Sequence, residues 1–374
     1  MAKKADDQFQ LPTHGATVLP SVKVDSYNLE VEDDEGFVGD RASKAAFWQI
    51  VDKWRKTLKD LGEDPLGEKP SEDIGKKKLA TLLHEGDPAA AGLVQSAVEE
   101  FAQQLALVIR RFLRLKDWRE TECLVIGGGF SASRVGELAV GRASLLLKAD
   151  AVPVDLELIR NDPDHAGLLG AAHLLPAWML KGYDAILAVD VGGTNIRAGV
   201  VDLNLGKSTD LSKAQVVRST LWRHSEEDVK RDDAVEELVG MLEELIDWSR
   251  KNKVALAPLI GIGCPGVIHE DGSIARGAQN LPGNWESSRF NLPACLREGI
   301  PKIGEHETIA VMHNDAVVQG LSELPNVKDR THWGVLTIGT GLGNARFTNR
   351  HEGKGRNGKG KEEKEKAKGD KAKA

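Results

Sequence analysis

The chain has 374 residues, of which 41% are hydrophobic and 29% charged, a composition typical of folded globular proteins that excludes wholesale disorder. Its formal net charge of −7 argues against a general nucleic-acid binder, which needs a basic surface. Three cysteines, far apart in the chain, exclude a disulfide framework and a CxxC zinc site.

The first part of the chain predicts two long helices with a polar connection. Residues 1–39 are polar and irregular, with one candidate strand over residues 26–31. Apolar residues at three- and four-residue spacing predict helices over residues 40–62 and 89–115, the former capped by its first residue. Residues 63–88 between them are rich in glycine, proline and charge, which predicts a loop or a loosely attached insert.

From residue 123 onward, apolar strands alternate with amphipathic helices, which indicates an α/β fold. Strands are predicted over residues 123–126, 152–159, 183–190, 196–202, 256–263, 308–312 and 332–338. Helices are predicted over residues 134–148, 163–180, 232–250 and 316–323. Residues 351–374 contain no apolar residue besides alanine, so we expect a charged, disordered tail.

The most informative segment is the glycine turn after the strand at residues 183–190. Two glycines let backbone N–H groups approach an anion closely, and Asp190 is placed to hold Mg²⁺ directly or through water. Thr194 adds a hydroxyl donor and Arg197 a cation. A plain β-hairpin is the alternative interpretation. The residues expected at a bound phosphate are Asp190, Gly192, Gly193, Thr194, Asn195 and Arg197.

Two further glycine turns follow apolar strands. The turn at residues 339–341 is a weak signal alone, but it matches the first turn and suggests two lobes that each present one loop to a triphosphate. The turn at residues 127–129 permits close approach of a ring or a phosphate, although a simple strand-to-helix turn is the alternative. The residues expected at the nucleotide are Gly339, Thr340 and Gly341, and Gly127, Gly128 and Gly129.

Polar residues at other strand ends are candidates for substrate chemistry. Asp315 follows a predicted strand and could be a general base for a substrate hydroxyl or an N-cap. Its neighbour Asn314 could hydrogen-bond an adjacent hydroxyl. Asn280 and Trp285 suit a polyol, because they offer an amide and an apolar face, although ordinary turn chemistry is the alternative.

Five motifs, in order, resemble the N-terminal half of the ROK family of bacterial glucokinase-like sugar kinases and related repressors. They are DVGGTNIR (190–197), GCPG (263–266), NLPGNW (280–285), NDA (314–316) and IGTGLG (338–343). The resemblance implies a two-lobed actin-like ATPase fold, which is ribonuclease H-like, with ATP and Mg²⁺ held over a sugar.

The segments before these motifs resemble the other end of the same family. LVIGGGFSASRVGE (124–137) resembles its adenosine-binding turn, and DHAGLLGAAHLL (164–175) resembles its near-C-terminal helix. The chain therefore looks circularly permuted, with a junction near residues 182–183. The expected organisation is an N-terminal segment 1–39, a C-terminal-type lobe 40–182, an N-terminal-type lobe 183–331, a strand and turn returning to the first lobe 332–350, and the tail 351–374.

The sequence departs from the family in one respect. The E-x-G-H segment that grips the sugar and the cysteine-rich zinc loop do not follow the second phosphate turn, so no zinc site is expected. The segment at residues 26–40 could supply the missing strand. The acids that could replace the sugar-binding glutamate are Glu32, Asp33, Asp34 and Glu35.

The leading hypothesis is a cytoplasmic, ATP-dependent sugar kinase that phosphorylates a hexose hydroxyl, with Asp315 as base. The alternatives are a non-catalytic sugar- or nucleotide-sensing regulator and an actin-like ATPase that acts in assembly. The expected partners are a sugar and ATP, without nucleic acid or a membrane, and a homodimer is left open. The N-terminus lacks an apolar signal region, and the most apolar stretch, residues 166–180, is shorter than the roughly 20 residues of a membrane span.

Overall fold

The computed structural model describes residues 13–350, which contain fourteen β-strands and eight α-helices. The strands are β1 (Val22–Tyr27), β2 (Glu32–Asp33), β3 (Gly36–Phe37), β4 (Cys123–Gly127), β5 (Asp155–Leu158), β6 (Ala185–Val191), β7 (Ile196–Asp202), β8 (Gln215–Trp222), β9 (Leu256–Cys264), β10 (Lys302–Ile303), β11 (His306–Glu307), β12 (Ile309–Asn314), β13 (His332–Ile338) and β14 (Leu342–Asn349). The helices are α1 (Lys44–Lys59), α2 (Lys76–Glu85), α3 (Pro88–Arg114), α4 (Arg134–Ala149), α5 (Pro163–Ala171), α6 (Arg231–Lys251), α7 (Leu292–Gly299) and α8 (Asp315–Leu321).

Most of the strands form two five-stranded sheets with the same internal arrangement. The first sheet has the order β1-β14-β13-β4-β5, and the second has the order β8-β7-β6-β9-β12. In those orders, the first two pairings of each sheet are antiparallel and the last two are parallel. Two short hairpins, β2-β3 and β10-β11, lie outside these sheets.

The two sheets differ in which parts of the sequence supply their strands. The second sheet is built from one continuous stretch of sequence, β6 to β12, whereas the first takes β1 from one end of the described chain and β13 and β14 from the other. Val22 pairs with Asn349, and the N–H of Arg350 donates to the carbonyl of Ser21 at 2.9 Å. The N-terminal strand thus occupies the place that a strand following β14 would take.

Helices α5 and α8 lie between the two sheets. Their apolar side chains join those of the inner faces of both sheets in one buried core. A Cβ at Gly170 of α5 would lie 1.7 Å from the carbonyl oxygen of Val318 in α8, so the two backbones are in direct contact. Helices α1 to α4 cover the outer face of the first sheet, and α6 and α7 cover that of the second. The result is five layers, α-β-α-β-α.

The structure corrects the sequence prediction for the first helical region. Ser43 rather than Asp40 caps α1, since its Oγ accepts the N–H of Ala46 at 3.1 Å. Residues 63–88, predicted as a loop, contain α2. Its Leu79 and Leu82 are buried in the core of the first sheet's outer helices, so the segment is an integral part of the fold.

Other predicted boundaries shift for identifiable reasons. The helix predicted over residues 163–180 ends at Ala171, because Pro176 lacks an N–H and disfavours helical backbone in the residue before it. The strand predicted over residues 26–31 lies at β1, somewhat earlier in the chain. Strands β8 and β14 and helix α7 were not predicted at all.

The expected disordered tail, residues 351–374, and residues 1–12 lie outside the described residues. Among the helices of residues 13–350, none has the length and apolar character needed to cross a bilayer.

Gly170→Ala should destabilise the protein by about 3 kcal/mol, because the new methyl group overlaps the backbone of α8. The control is Gly141→Ala in α4, where a Cβ would meet no atom within 4 Å, and which should stabilise the protein by about 0.5–1 kcal/mol. Urea unfolding of both variants measures the difference. Equal stability of Gly170→Ala and the unsubstituted protein would contradict the described packing of α5 on α8.

Candidate active site

The candidate site lies where the carboxyl ends of the parallel strands meet. In the second sheet, β6, β9 and β12 run parallel, so the turn after Val191 lies at the same edge as Cys264 and Asn314. In the first sheet, β13 and β4 also run parallel and deliver their glycine turns after Ile338 and Gly127. The loops singled out in the sequence therefore share the strand edges at which α/β proteins bind ligands.

The carboxylate of Asp190 lies against helix α5. A Cβ at Gly167 would lie 2.5 Å from the Asp190 Cγ, so only glycine leaves room for the carboxylate there. Burial raises the pKa of Asp190, an effect that Arg197 opposes and Asp164 reinforces. The carboxylate is therefore held in a position where a cation would strongly favour its charged form.

Arg197 links the glycine turn to helix α5. Its Nη2 donates to Asp164 Oδ1 at 2.8 Å, and its Nη1 lies 3.9 Å from Asp190 Oδ2. The guanidinium is mostly buried, with 13% of its side chain exposed. The predicted phosphate-binding cation is thus already engaged by two carboxylates of the protein.

The first and second glycine turns touch each other. Thr194 Oγ1 and Thr340 Oγ1 are 3.1 Å apart, at hydrogen-bond distance. Asn280 packs on the first turn, since a Cβ at Gly193 would lie 2.9 Å from the Asn280 Cβ, whereas a Cβ at Gly341 would meet no atom within 4 Å. The structure therefore brings together four predicted residues from three separate stretches of sequence, namely Gly193, Thr194, Asn280 and Thr340.

The first turn is also held by a hydrogen bond between its own backbone groups. The N–H of Gly192 donates to the carbonyl of Asn195 at 2.8 Å. The Oδ1 of Asn195 is buried and has no hydrogen-bond partner, which leaves an acceptor for a ligand or its water.

The third glycine turn lies directly beside the second. Gly128 has a φ of +85°, and a Cβ there would lie 2.5 Å from the carbonyl oxygen of Ile338, at the start of the second turn. Beneath it, a Cβ at Gly127 would lie 2.6 Å from Gln319 Oε1 of α8, a buried acceptor without a partner. The three turns and Gln319 of α8 therefore lie side by side, and the space that they border is the candidate cleft.

Asp315 is the first residue of α8 and lies within electrostatic reach of Asp190. Burial and the charge of Asp190 raise the pKa of Asp315 to about 6. The cap of this helix is Asn314, whose Oδ1 accepts the N–H groups of Ala316 and Val317. The N-cap alternative for Asp315 is therefore wrong, although its Oδ1 also accepts the N–H of Ala316 at 2.9 Å.

Two residues assigned to the sugar have structural partners. Asn314 is buried, and its Nδ2 donates to the carbonyl of Gly266 at 3.0 Å, so it fixes the loop after β9; its contact with a sugar hydroxyl stays a prediction. Trp285 is 1% exposed, packs edge-on against Phe290 and donates to the carbonyl of Pro282 at 2.8 Å. The proposed apolar face for a polyol is therefore wrong for Trp285, which is a core residue.

Sequence reasoning missed three charged residues near the cleft. Asp164, on the first turn of α5, binds Arg197, and the Asp-Pro-Asp start of that helix was the available signal. Lys76 begins α2 and donates to the carbonyl of Gly129, and Lys44 begins α1. Both lysines lie in segments that contain no motif from which a role in the site could be predicted.

The acids suggested as substitutes for the sugar-binding glutamate lie in and beside the β2-β3 hairpin. Asp33 and Glu35 both pair with Arg41, so these two carboxylates already have a cationic partner. Within residues 13–350, no group of three or more His, Cys, Asp or Glu side chains is arranged to hold a metal ion.

Comparison with known proteins gives consistent matches to slightly less than half of the chain. The sequence model of the ROK family matches residues 186–362. The glucokinase of Thermotoga maritima is 29% identical over 171 residues, which are 46% of this chain and 47% of that enzyme. The chain thus matches about half the length of this curated relative.

Two solved structures align with a similar portion. A candidate N-acetylmannosamine kinase from Listeria monocytogenes is 25% identical, with a TM-score of 0.33, over 44% of this chain and 47% of its own. A ROK hexokinase from Thermus thermophilus is 23% identical, with a TM-score of 0.32, over 43% of this chain and 45% of its own. The sequence similarity to the ROK family covers the motifs at residues 190–197, 263–266 and 338–343. Residues 186–362 are therefore similar to the ROK family.

Proposed function

We propose that the protein is an ATP-dependent sugar kinase that transfers the γ-phosphoryl group of ATP to a hexose hydroxyl. The observation that carries this proposal is Asp315, a carboxyl with a pKa of about 6 that lies within electrostatic reach of Asp190 at the edge where the glycine turns meet. A general base with a pKa slightly below neutrality is mostly ionised at pH 7 and still basic enough to accept a proton. The similarity to the Thermotoga maritima glucokinase supports a sugar as the acceptor.

The residues present suit ATP and Mg²⁺. Asp190 offers a carboxylate with 21% of its side chain exposed, and Asn195 offers a buried acceptor without a partner. Around them, Thr194 and Thr340 supply hydroxyl donors at the meeting point of two turns. When bound near Asp190, Mg²⁺ would neutralise charge on the phosphate oxygens.

In the proposed reaction, Asp315 takes the proton of the sugar hydroxyl. The freed oxygen lone pair forms the new bond to the γ-phosphorus, and the bond to the β–γ bridging oxygen breaks, so its electron pair leaves with ADP. Asn314 fixes the position of Asp315, because it caps α8 and holds the loop of Gly266. Thr194 and Thr340 touch each other, so phosphate entry requires the two turns to separate.

We also infer that the chain is a circular permutation of the ROK fold, with an actin-like arrangement of two lobes. The equal strand order and direction of the two sheets support this, because the first sheet follows the path of the second only if the chain is read from β14 into β1. On this proposal, residues 40–182 and 332–350, together with β1, form one lobe and residues 183–331 the other.

Asp315→Ala should lower the rate of sugar-dependent ADP release about 10²–10⁴-fold, because the proton acceptor is lost. ATP affinity should change little, since the base contacts the sugar and not the nucleotide. A coupled ADP assay with a panel of hexoses measures the rate, and Asp228→Ala, an exposed acid of the same half of the chain, is the control. Full activity of Asp315→Ala would contradict the proposed base, and ATP binding without turnover in the unsubstituted protein would favour the sensor.

The kinase should lose activity in acid. Because the pKa of Asp315 is raised to about 6, its carboxyl is protonated and inactive below that pH, so kcat/KM should fall about tenfold per pH unit there and level off above it. A pH profile between 5 and 8 tests this, with ADP measured directly to avoid pH effects on coupling enzymes. A profile that stays flat down to pH 5 would contradict the assignment.

A permuted variant should test the proposed chain order. It would begin at Tyr183, run to Arg350, continue through a Gly/Ser linker of about 15 residues, which spans roughly 22 Å, and then resume at Thr13 and end at Gly182. Because Arg350 already contacts Ser21, we expect a folded protein with a similar circular-dichroism spectrum and a cooperative thermal transition. An unfolded product, alongside a folded variant that carries the same linker at its own C-terminus, would contradict the inference.

A further inference from the structure

Two lysines border the cleft from the side of the first sheet, outside the residues that match the ROK family. Lys44 is the first residue of α1, and its N–H donates to the carbonyl of Gly339 at 2.9 Å. Lys76 is the first residue of α2, and its Nζ donates to the carbonyl of Gly129. The two helices therefore each present a lysine beside a different glycine turn.

The positive charges of these two lysines are not balanced by ion pairs with carboxylates of the described residues. Burial and the nearby charge of Lys44 lower the pKa of Lys76, and Asp164 opposes this across the cleft. Asp164, however, is bonded to Arg197 at 2.8 Å. Within the part of the chain that the structure describes, neither lysine forms a salt bridge with a carboxylate. A partly desolvated ammonium group beside a second cation, as Lys76 is beside Lys44, is stabilised when an anion lies next to it.

The acids of the cleft create a need for such cations. Asp190, Asp164 and Asp315 all repel a polyphosphate, and Arg197 is occupied by two of them. The glycine turns otherwise supply neutral N–H and hydroxyl donors. A nucleotide with several negative charges therefore requires positive charge from another part of the protein, in addition to a bound metal ion.

We propose that Lys76, assisted by Lys44, is a nucleotide-binding residue that contacts the phosphate chain of ATP. This inference rests on the proposed kinase function. It makes α1 and α2 part of the nucleotide site and gives the third glycine turn a charged partner beside its backbone. An ammonium group recognises phosphate oxygens as a point charge, so the contact favours ATP and ADP over the uncharged nucleoside.

The test is the equilibrium binding of ATP, ADP and adenosine to the full chain by isothermal titration calorimetry. Lys76→Gln should weaken ATP and ADP binding about tenfold or more, as is typical for loss of a hydrogen bond to a charged group, while adenosine affinity stays within about twofold. Lys76→Arg should keep most of the affinity, and Lys44→Gln should cost about threefold. Lys78→Gln, an exposed lysine on the same helix, is the matched control.

The outcomes separate this inference from the function on which it rests. Unchanged ATP affinity in a folded Lys76→Gln variant would overturn the inference and leave the kinase proposal standing. An equal loss for ATP and adenosine would also overturn it, because Lys76 would then only shape the turn at Gly129. If the unsubstituted protein bound no nucleotide, the kinase proposal itself would fall, and this inference with it.

Discussion

The contact between helices α5 and α8 is the constraint on which the rest of the structure depends. Gly170 lets the backbone of α5 meet that of α8, and both helices share one apolar core with the inner faces of the two sheets. Asp164 in the first turn of α5 and Asp315 at the start of α8 both lie close enough to Asp190, at the carboxyl edge of the second sheet, for their charges to interact with it. A second close contact, Gly167 against Asp190, sets the depth of that carboxylate. Tight glycine packing in the core thus determines the geometry of the site.

This arrangement concentrates negative charge in a low-dielectric environment, where it is costly without partners. The protein offsets part of the cost with Arg197, and the remainder appears as the raised pKa values of Asp190 and Asp315. Such strain between like charges is common where a protein binds a metal ion or moves a proton. If these carboxylates hold a metal ion and accept a proton as proposed, Arg197 and the proposed Lys76 would supply positive charge from both halves of the molecule.

The sequence predicted the parts of this site that local chemistry dictates. Glycine turns after apolar strands are visible in the sequence because glycine tolerates a left-handed backbone and close approach better than any other residue, as at Gly128 with its φ of +85°. Lys76 could not be predicted, because its position depends on how α2 packs through Leu79 and Leu82. Trp285 was misread for a related reason: a loop position next to Asn and Gly suggests exposure, and only tertiary packing shows that the indole is buried. Strands with long apolar runs were predicted from the sequence, whereas the half-exposed β8 was not.

The pairing of β1 with β14 has a consequence for biosynthesis. The second sheet lies within one continuous stretch, residues 185–314, so it can form as soon as that stretch has left the ribosome. The first sheet has β13 at its centre, and this strand joins β4 to β14, so the sheet lacks its middle until residues 332–338 have been made. Strands β1 and β4 are synthesised early and must wait for β14 and β13, with unpaired edges exposed in the meantime. Synthesis of the first sheet thus begins before that of the second sheet, but the first sheet can be completed only after the second.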